Sequence, residues 1–589
     1  MENTEILSRA KAYIQEETDP GFRGEVERLI ADKNWKELED RFYQNLEFGT
    51  GGLRGIIGGG TNRMNTLVVN RATQGLADYV AKAFPEKDRA GKLSAVIAYD
   101  SRHFSALFAE SAALIFAARG FKTYLFTSLR PTPELSFAIR ELGCDTGVVV
   151  TASHNPPQYN GYKAYWNTGG QVIEPHDEGI IAQVNGVTSV KTITRLEAIA
   201  RGLLVMIDKD IDIKYESMVR ASLFRPGLIK ERAGEVKIVY TPLHGTGAMH
   251  VESVLGSLGL RVISVPEQRE PDGDFPTVEK PNPEEAPAMK LAIELGRKEK
   301  ADVVMATDPD ADRFGTAFPD REGAFVLVTG NQMGALLTDY ICLSRKELGI
   351  MPPNPVVVRS IVSTALADKI AASYGVDTVE CLTGFKWIGD AMEEFNRTGS
   401  RRYIFGFEES YGYTVEDSIR DKDGVSAAAL CAEMTLYWRS VGKSLLERIE
   451  ELYKRFGYYE DRAISRSFPG EAGAETMRGI MSRLRREGLT SLGGKRVLRI
   501  RDVEEGAAYD PASPGRREPI GLPKSNVLQF FLEGDTVVSA RPSGTEPKIK
   551  FYISCHVPVA DGDLGAAKHS ADTLCNAVTK EIEGILASA

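Results

Sequence analysis

Apolar and polar positions along most of this chain alternate between two periods. Short apolar, β-branched runs at 94–99, 122–126 and 146–150 are separated by stretches at 105–119 and 133–142, where apolar residues recur every three to four positions. The short runs read as buried strands and the longer stretches as amphipathic helices. The same rhythm returns at 236–240, 248–258, 261–265, 287–298 and 302–306. It returns again at 355–359, 364–373, 378–382, 385–396 and 403–405. Strands alternating with helices imply largely parallel sheets covered by helices. The three rounds share a plan but no residue-level repeat.

The flanks differ. Residues 1–42 are charged and helix-like, a glycine-rich stretch follows, and a helix is expected over 68–84. Beyond about 458 the pattern gives strands at 496–500, 526–532, 536–540 and 550–555 and a helix at 565–587. Glu533-Gly534-Asp535 reads as a hairpin-like connection between two of these strands. The stretches 469–473 and 509–523 are rich in Pro, Gly and charge and read as exposed connections. The fold class expected is therefore α/β in four domains. Three are related α/β domains with mixed, mostly parallel sheets, at 1–208, 209–325 and 326–455. A C-terminal α+β domain at 456–589 completes a central cleft.

Composition narrows the function more than the fold. The 589 residues are 42% hydrophobic and 26% charged, with net charge −10. An acidic chain disfavours nucleic acid and anionic membranes as partners, although local Arg and Lys can still receive an anionic substrate. Cys144, Cys342, Cys381, Cys431, Cys555 and Cys575 form no CxxC pair, so neither a zinc site nor a disulfide framework is indicated. With no apolar leader and no run near the ~20 residues that span a bilayer, a cytoplasmic protein is expected, monomeric or homodimeric.

Four loops carry candidate chemistry, and three follow the last strand of an α/β round, where ligands of open parallel sheets bind. Thr151-Ala152-Ser153-His154-Asn155-Pro156-Pro157 presents a serine hydroxyl in a turn, with His154 beside it and Lys163 shortly after. Burial or neighbouring cations would lower the lysine pKa and suit it to acid or base work. The plain alternative is an exposed Ser/Asn/Pro turn. Asp308-Pro309-Asp310-Ala311-Asp312-Arg313 places three carboxylates at alternate positions, which an extended segment would aim to one side. Hard oxygen ligands favour Mg2+. An EF-hand is excluded, because its sixth and twelfth positions hold Arg313 and Pro319 rather than Gly and Glu. Arg313 would face phosphate. Gly406-Phe407-Glu408-Glu409-Ser410 sets an acceptor and a hydroxyl two apart, suited to sugar hydroxyls, with Lys422 nearby; alone it reads more readily as an acidic helix start. Arg541-Pro542-Ser543-Gly544-Thr545-Glu546-Pro547-Lys548 has the makings of a phosphate cradle.

With all four loops in this order, the chain resembles the α-D-phosphohexomutase superfamily over nearly its full length, on the phosphoglucomutase branch that includes phosphopentomutase-like members. Glu47-Phe48-Gly49-Thr50-Gly51-Gly52-Leu53-Arg54-Gly55 and Thr383-Gly384-Phe385-Lys386-Trp387 share that likeness. The resemblance implies Ser153 as a phosphorylated nucleophile whose phosphoryl oxygen joins Asp308, Asp310 and Asp312 on Mg2+. It implies Arg54, His154 and Lys163 around the transferring group. Thr383, Gly384, Glu408, Ser410 and Lys422 would contact the sugar, and Arg541, Ser543, Gly544, Thr545 and Lys548 the non-reacting phosphate. The departures are Gly-Phe-Glu-Glu-Ser where many relatives have Gly-Glu-x-Ser, and Pro309 where many have glycine. The implied reaction interconverts glucose 1-phosphate and glucose 6-phosphate through glucose 1,6-bisphosphate, with mannose or pentose phosphates as rival substrates. Rotation of the last domain about 456–459 would open and close the cleft. A phosphatase acting through an aspartyl phosphate at Asp308 leaves Ser153 and the Arg541 loop without a role, and intact Ser153, three aspartates and Lys163 argue against a non-catalytic sugar-phosphate sensor.

Overall fold

The computed structural model of the chain describes residues 3–49, 51–468, 470–543 and 548–588. They pack as two compact units. The larger comprises Met1–Gly330, Ile388–Gly406 and Ser410–Ser440, and the smaller Asn331–Trp387, Phe407–Glu409 and Val441–Ala589.

The larger unit holds two mixed sheets. The first runs Gly52–Ile56, Tyr159–Trp166, Thr146–Val150, Ser94–Tyr99, Lys122–Phe126, Leu204–Ile207. Its last four strands are parallel, as the βαβαβ pattern requires. Thr146–Val150 is wholly buried, which suits the continuous apolar run of a strand covered on both faces. Tyr159–Trp166 enters antiparallel to both neighbours, and its mixture of Asn, Gly and Lys hid it from the periodicity. The second sheet runs Phe325–Val328, Phe314–Pro319, Val303–Thr307, Lys237–Thr241, Arg261–Ser264. Here too the parallel core was legible, while Phe314–Pro319 returns antiparallel against Val303–Thr307. The strand Thr146–Val150 leads into the Ser153 loop, and Val303–Thr307 leads into the aspartates.

Three N-terminal helices, Asn3–Glu16, Pro20–Ala31 and Trp35–Phe42, belong to the larger unit. Asp19 caps the second, with Pro20 opening it. Glu17 is buried and accepts from Tyr13 Oη (2.9 Å) and from the backbone N–H of Leu67 (3.1 Å), tying this bundle to the start of Thr66–Ala83.

In the smaller unit Pro355–Ser360 pairs in parallel with Asp377–Cys381. An antiparallel sheet runs Tyr458–Ser467, Lys548–Val557, Val537–Pro542, Leu528–Leu532, Lys495–Asp502, Ala507–Tyr509, Arg517–Pro519. The charged strand Tyr458–Ser467 was not expected. The stretch 469–473 is not a plain connection, because the helix Gly470–Glu487 starts within it. The stretch 509–523 includes the short exposed strand Arg517–Pro519. The last helix, Leu564–Ala587, is capped by Asp563 and buries Leu564, Ala567, Ala571, Cys575, Val578, Ile582 and Leu586. That three-and-four spacing makes one apolar stripe. No helix among the described residues is long and apolar enough to cross a membrane.

Ile582 is 1% exposed in the core of the smaller unit. Ile582→Ala is expected to cost roughly 2–5 kcal/mol and to lower the urea midpoint of the transition that exposes this unit. An unchanged midpoint would show that the stripe does not hold the sheet.

Candidate active site

Ser153 is 3% exposed and takes a left-handed backbone conformation, φ 53°. For a serine that conformation is strained by about 1–3 kcal/mol, so its surroundings must hold it. Its N–H donates to Thr151 Oγ1 (2.8 Å). Arg102 does more. Its guanidinium donates to the carbonyls of Ser153 and Asn155, and to those of Pro156 (2.9 Å) and Tyr159 (3.0 Å). Asp100 orients Arg102 through the backbone N–H (3.0 Å) and an ion pair (3.4 Å). Burial pushes the Arg102 guanidinium down to about 10, with Asp100 opposing it.

The Ser153 hydroxyl donates to Asp308 Oδ2 at 2.6 Å, and His154 Nδ1 lies 3.1 Å from Ser153 Oγ. The serine and the aspartates are thus brought together. The aspartates converge for a different reason from the one expected. Residues 308–313 are not an extended segment but a tight turn between Val303–Thr307 and Phe314–Pro319. In it Ala311 N–H donates to Asp308 O (2.9 Å), and Ala311 sits at φ 52°. Asp308 Oδ1 accepts the N–H groups of Asp312 (3.1 Å) and Arg313 (2.9 Å), folding the turn around its own carboxylate.

Three consecutive carbonyls of this turn are each held by the start of a different helix. Thr246, preceding Gly247–Ser257, donates to Pro309 O through N–H (2.8 Å) and Oγ1 (3.0 Å). Thr132, opening Thr132–Leu142, donates through N–H to Asp310 O (2.9 Å) and through Oγ1 to Asp310 Oδ2 (2.8 Å). Gly424, opening Gly424–Ser440, donates to Ala311 O (3.0 Å). Orphan N–H groups at the helix starts find acceptors here, and the positive ends of the helix dipoles face the acidic turn. A Cβ at Gly245 would lie 2.3 Å from Pro309 Cα, so only glycine permits this approach.

Asp308, Asp310 and Asp312 are all buried, and each offers an oxygen within 4.8 Å of the others. Burial and then its two neighbours raise Asp308 well above the usual carboxylate range. Asp312 is held below that range because Lys422 and Lys163 overcome the opposing effect of burial. Asp310 Oδ1 and Asp312 Oδ1 are buried without a hydrogen-bond partner. Two unsatisfied carboxylate oxygens in an all-oxygen cluster fit a hard divalent cation such as Mg2+.

Lys163, on Tyr159–Trp166, donates to Asp310 Oδ2 (2.7 Å) and reaches Asp312 Oδ2 (3.2 Å). Burial works against its charge, but Asp310 and Asp312 outweigh burial and raise its pKa above the ordinary lysine value. The lowered pKa expected from crowding or desolvation is therefore corrected, and Lys163 is held as a cation. His154 is pushed well below its ordinary value by burial and by Arg313 and Arg54, which leaves a neutral imidazole. Arg54, on the edge strand, donates to Asn155 Oδ1 (3.2 Å). Arg313 pairs with Glu284. Lys422 contacts Asp312 Oδ2 (3.1 Å) and Asp421 Oδ1 (3.0 Å), so it belongs with the aspartates; Tyr165 Oη (2.6 Å) and Gln171 (2.9 Å) anchor Asp421.

Other expected residues lie in the smaller unit. Glu408 accepts from Gly384 N–H at 2.6 Å, and Thr383 Oγ1 beside it is buried without a partner. Its neighbour Glu409 is engaged instead by Ser360 Oγ (2.9 Å) and by Ser363. Ser410 is part-buried and belongs to the larger unit. Arg541 pairs with Lys550 in register on adjacent strands, and Ser543 N–H donates to Lys548 O (2.8 Å). Gly544 and Thr545 fall outside the described residues.

Arg102, Thr132 and Thr246 were not singled out from the sequence. Arg102 offered one signal, since Asp100-Ser101-Arg102 follows the strand Ser94–Tyr99 at the same sheet end as Ser153. The threonines sit at ordinary helix starts, and only tertiary structure sets them against the turn.

Two sheets deliver a serine and an aspartate turn to one point, an arrangement suited to phosphoryl transfer, and comparison identifies the family. Residues 45–191, 215–322 and 329–456 match in turn the alpha/beta/alpha domains I, II and III of the phosphoglucomutase/phosphomannomutase family. A phosphoglucomutase of Staphylococcus haemolyticus is 36% identical over 525 residues, 88% of this chain and 92% of the relative. Human phosphopentomutase is 34% identical over 572 residues, 94% of this chain and 92% of the relative. The open form of a Paramecium phosphoglucomutase, pp63/parafusin, shares the fold at TM-score 0.66 and 17% identity, over 92% of this chain and 94% of its own. The chain belongs to the phosphoglucomutase/phosphomannomutase family of the α-D-phosphohexomutase superfamily. It is an enzyme, an intramolecular phosphotransferase with three α/β domains and a C-terminal antiparallel-sheet domain.

Lysine cannot reproduce the fork that gathers four carbonyls. Arg102→Lys is therefore expected to lower mutase turnover by tenfold or more while the protein stays folded, as read by coupled assay and thermal melt. Wild-type turnover in the variant would show that the serine turn holds without the fork.

Proposed function

We propose that the enzyme interconverts α-D-glucose 1-phosphate and glucose 6-phosphate through phosphorylated Ser153 and glucose 1,6-bisphosphate. The observation that carries this reading is the 2.6 Å contact of the Ser153 hydroxyl with Asp308. In the first half-reaction the Ser153 Oγ–P bond breaks as an O–P bond forms to a free hydroxyl of the bound sugar monophosphate. That hydroxyl releases its proton, which the neutral His154 can accept, and the freed Ser153 Oγ takes up a proton. In the second half the other phosphoryl group of the bisphosphate returns to Ser153 Oγ, the serine proton leaves, and the freed sugar oxygen takes up a proton. Lys163, held charged, and Arg54 stabilise the negative oxygens in transfer. Asp308, Asp310 and Asp312 would hold Mg2+, which would offset charge between donor and acceptor. Glu408 and Ser410 receive sugar hydroxyls with Thr383, Gly384 and Lys422, and Arg313 faces a phosphate. Arg541, Ser543, Gly544, Thr545 and Lys548 clamp the phosphate that is not reacting, from either end of the sugar. Glucose 1,6-bisphosphate would also recharge Ser153 when the intermediate escapes. A pentose 1- or 5-phosphate is the second reading, supported by the similarity to human phosphopentomutase.

Purified protein given glucose 1-phosphate, Mg2+ and a trace of glucose 1,6-bisphosphate should form glucose 6-phosphate. Its intact mass should show one phosphoryl group lost on Ser153→Ala, together with at least roughly 10³-fold of turnover. Comparison of kcat/KM for glucose, mannose, ribose and deoxyribose phosphates decides the substrate. No turnover with any of them, or full activity in Ser153→Ala, would reject the mechanism.

A further inference from the structure

Two of the helices that hold the aspartate turn are clasped to each other close to their starts. Glu134 lies two residues into the helix that Thr132 opens, and His250 four residues after Thr246. Both are fully buried, and His250 Nε2 donates to Glu134 Oε2 at 2.8 Å. The contacts close a ring: Asp310 to Thr132, along one helix to Glu134, across to His250, back along the second helix to Thr246, and onto Pro309. Glu216, on Lys209–Ala221, accepts from His250 Nδ1 at 3.2 Å. Tyr215 stands edge-on to the imidazole (5.1 Å) and donates to Asp423 Oδ1 (2.7 Å), which caps the third helix on the turn. None of these groups touches the aspartates.

Glu134, Asp212 and His250 also lie close enough together to resemble a cation site. Their partners say otherwise. Arg130 occupies both oxygens of Asp212 (2.8 and 3.0 Å) and stands 3.7 Å from Glu134. Both nitrogens of His250 face carboxylates. Against burial, Glu134 and Glu216 lift His250 to about 9, so the cluster holds a proton where a metal would need lone pairs. Replacing a buried ion pair with apolar residues of similar volume is often neutral for stability, which directs attention to geometry.

We propose that Glu134 and His250 are positioning residues for the cation-holding turn, fixing Thr132 on Asp310 and Thr246 on Pro309 and with them the spacing of the three carboxylates. This rests on the reading of Asp308, Asp310 and Asp312 as metal ligands. Partners hydrogen-bonded to a metal's direct ligands, as Thr132 is to Asp310, typically contribute 10–100-fold to its affinity, and Glu134 and His250 act through such partners.

Mn2+ titration of the full chain, followed by electron paramagnetic resonance, tests it. Wild type should bind one Mn2+. The double variant Glu134→Leu/His250→Leu should bind at least about tenfold more weakly, with kcat reduced and the sugar-phosphate KM unchanged. Glu134→Gln, which keeps an acceptor for His250, should stay within about threefold of wild type. Should the double variant not fold, His250→Asn serves the same comparison. Wild-type Mn2+ affinity in the folded variants would overturn the proposal. So would a second Mn2+ in wild type that the double variant loses, because the cluster would then be a metal site itself. The titration needs no turnover, so an inactive wild type with an intact variant effect would reject the mutase reading and leave this one standing.

Discussion

Three carboxylates confined to one buried turn would repel one another and lose hydration, and the rest of the larger unit is arranged around that difficulty. An isolated buried charge is very costly, so such groups persist only when paired, hydrogen-bonded or metal-bound. Here the first two are present and the third is prepared for. Lys163 and Lys422 bring positive charge to Asp310 and Asp312. Backbone N–H groups fold onto Asp308. The starts of three helices take the carbonyls of Pro309, Asp310 and Ala311 in succession. What is left over, two buried oxygens without donors, is the part a dication would complete.

The serine side is solved differently. Ser153 needs a strained backbone at the end of a buried strand, and one arginine supplies the restraint by gathering the carbonyls of its loop. The two solutions meet at a single short hydrogen bond. Neither loop alone distinguishes a phosphotransferase from an ordinary turn, and their meeting does.

Much of the plan was legible from residues. The parallel cores of both sheets in the larger unit follow from apolar runs such as Val148-Val149-Val150 and Val303-Val304-Met305, whose meaning is local. So does the last helix, through its three-and-four stripe. Elements whose pairing depends on distant partners were not legible. Tyr159–Trp166 carries Lys163 among Asn, Gly and Tyr, and Tyr458–Ser467 is too charged to announce a strand. Ser153 and the aspartates could be named from motifs, yet the reason the aspartates converge could not. Alternation suggested a pleat, whereas Asp308 accepting its own loop's N–H groups makes a turn. Likewise burial suggested a depressed lysine at 163, and the two aspartates that reverse the effect come from another sheet some 150 residues away.

The division of the chain into two bodies has a consequence for how such an enzyme can change. Ser153, Lys163 and the acidic turn all lie in one body, whereas Thr383, Gly384, Glu408 and Arg541 are built into the other. On the proposed reading, substitutions at Thr383, Gly384 or Glu408 alter which carbohydrate is welcomed while Ser153 and the acidic turn, in a separate body, stay as they are. A shift between hexose and pentose preference would then need few compensating changes in the body that holds the serine and the aspartates.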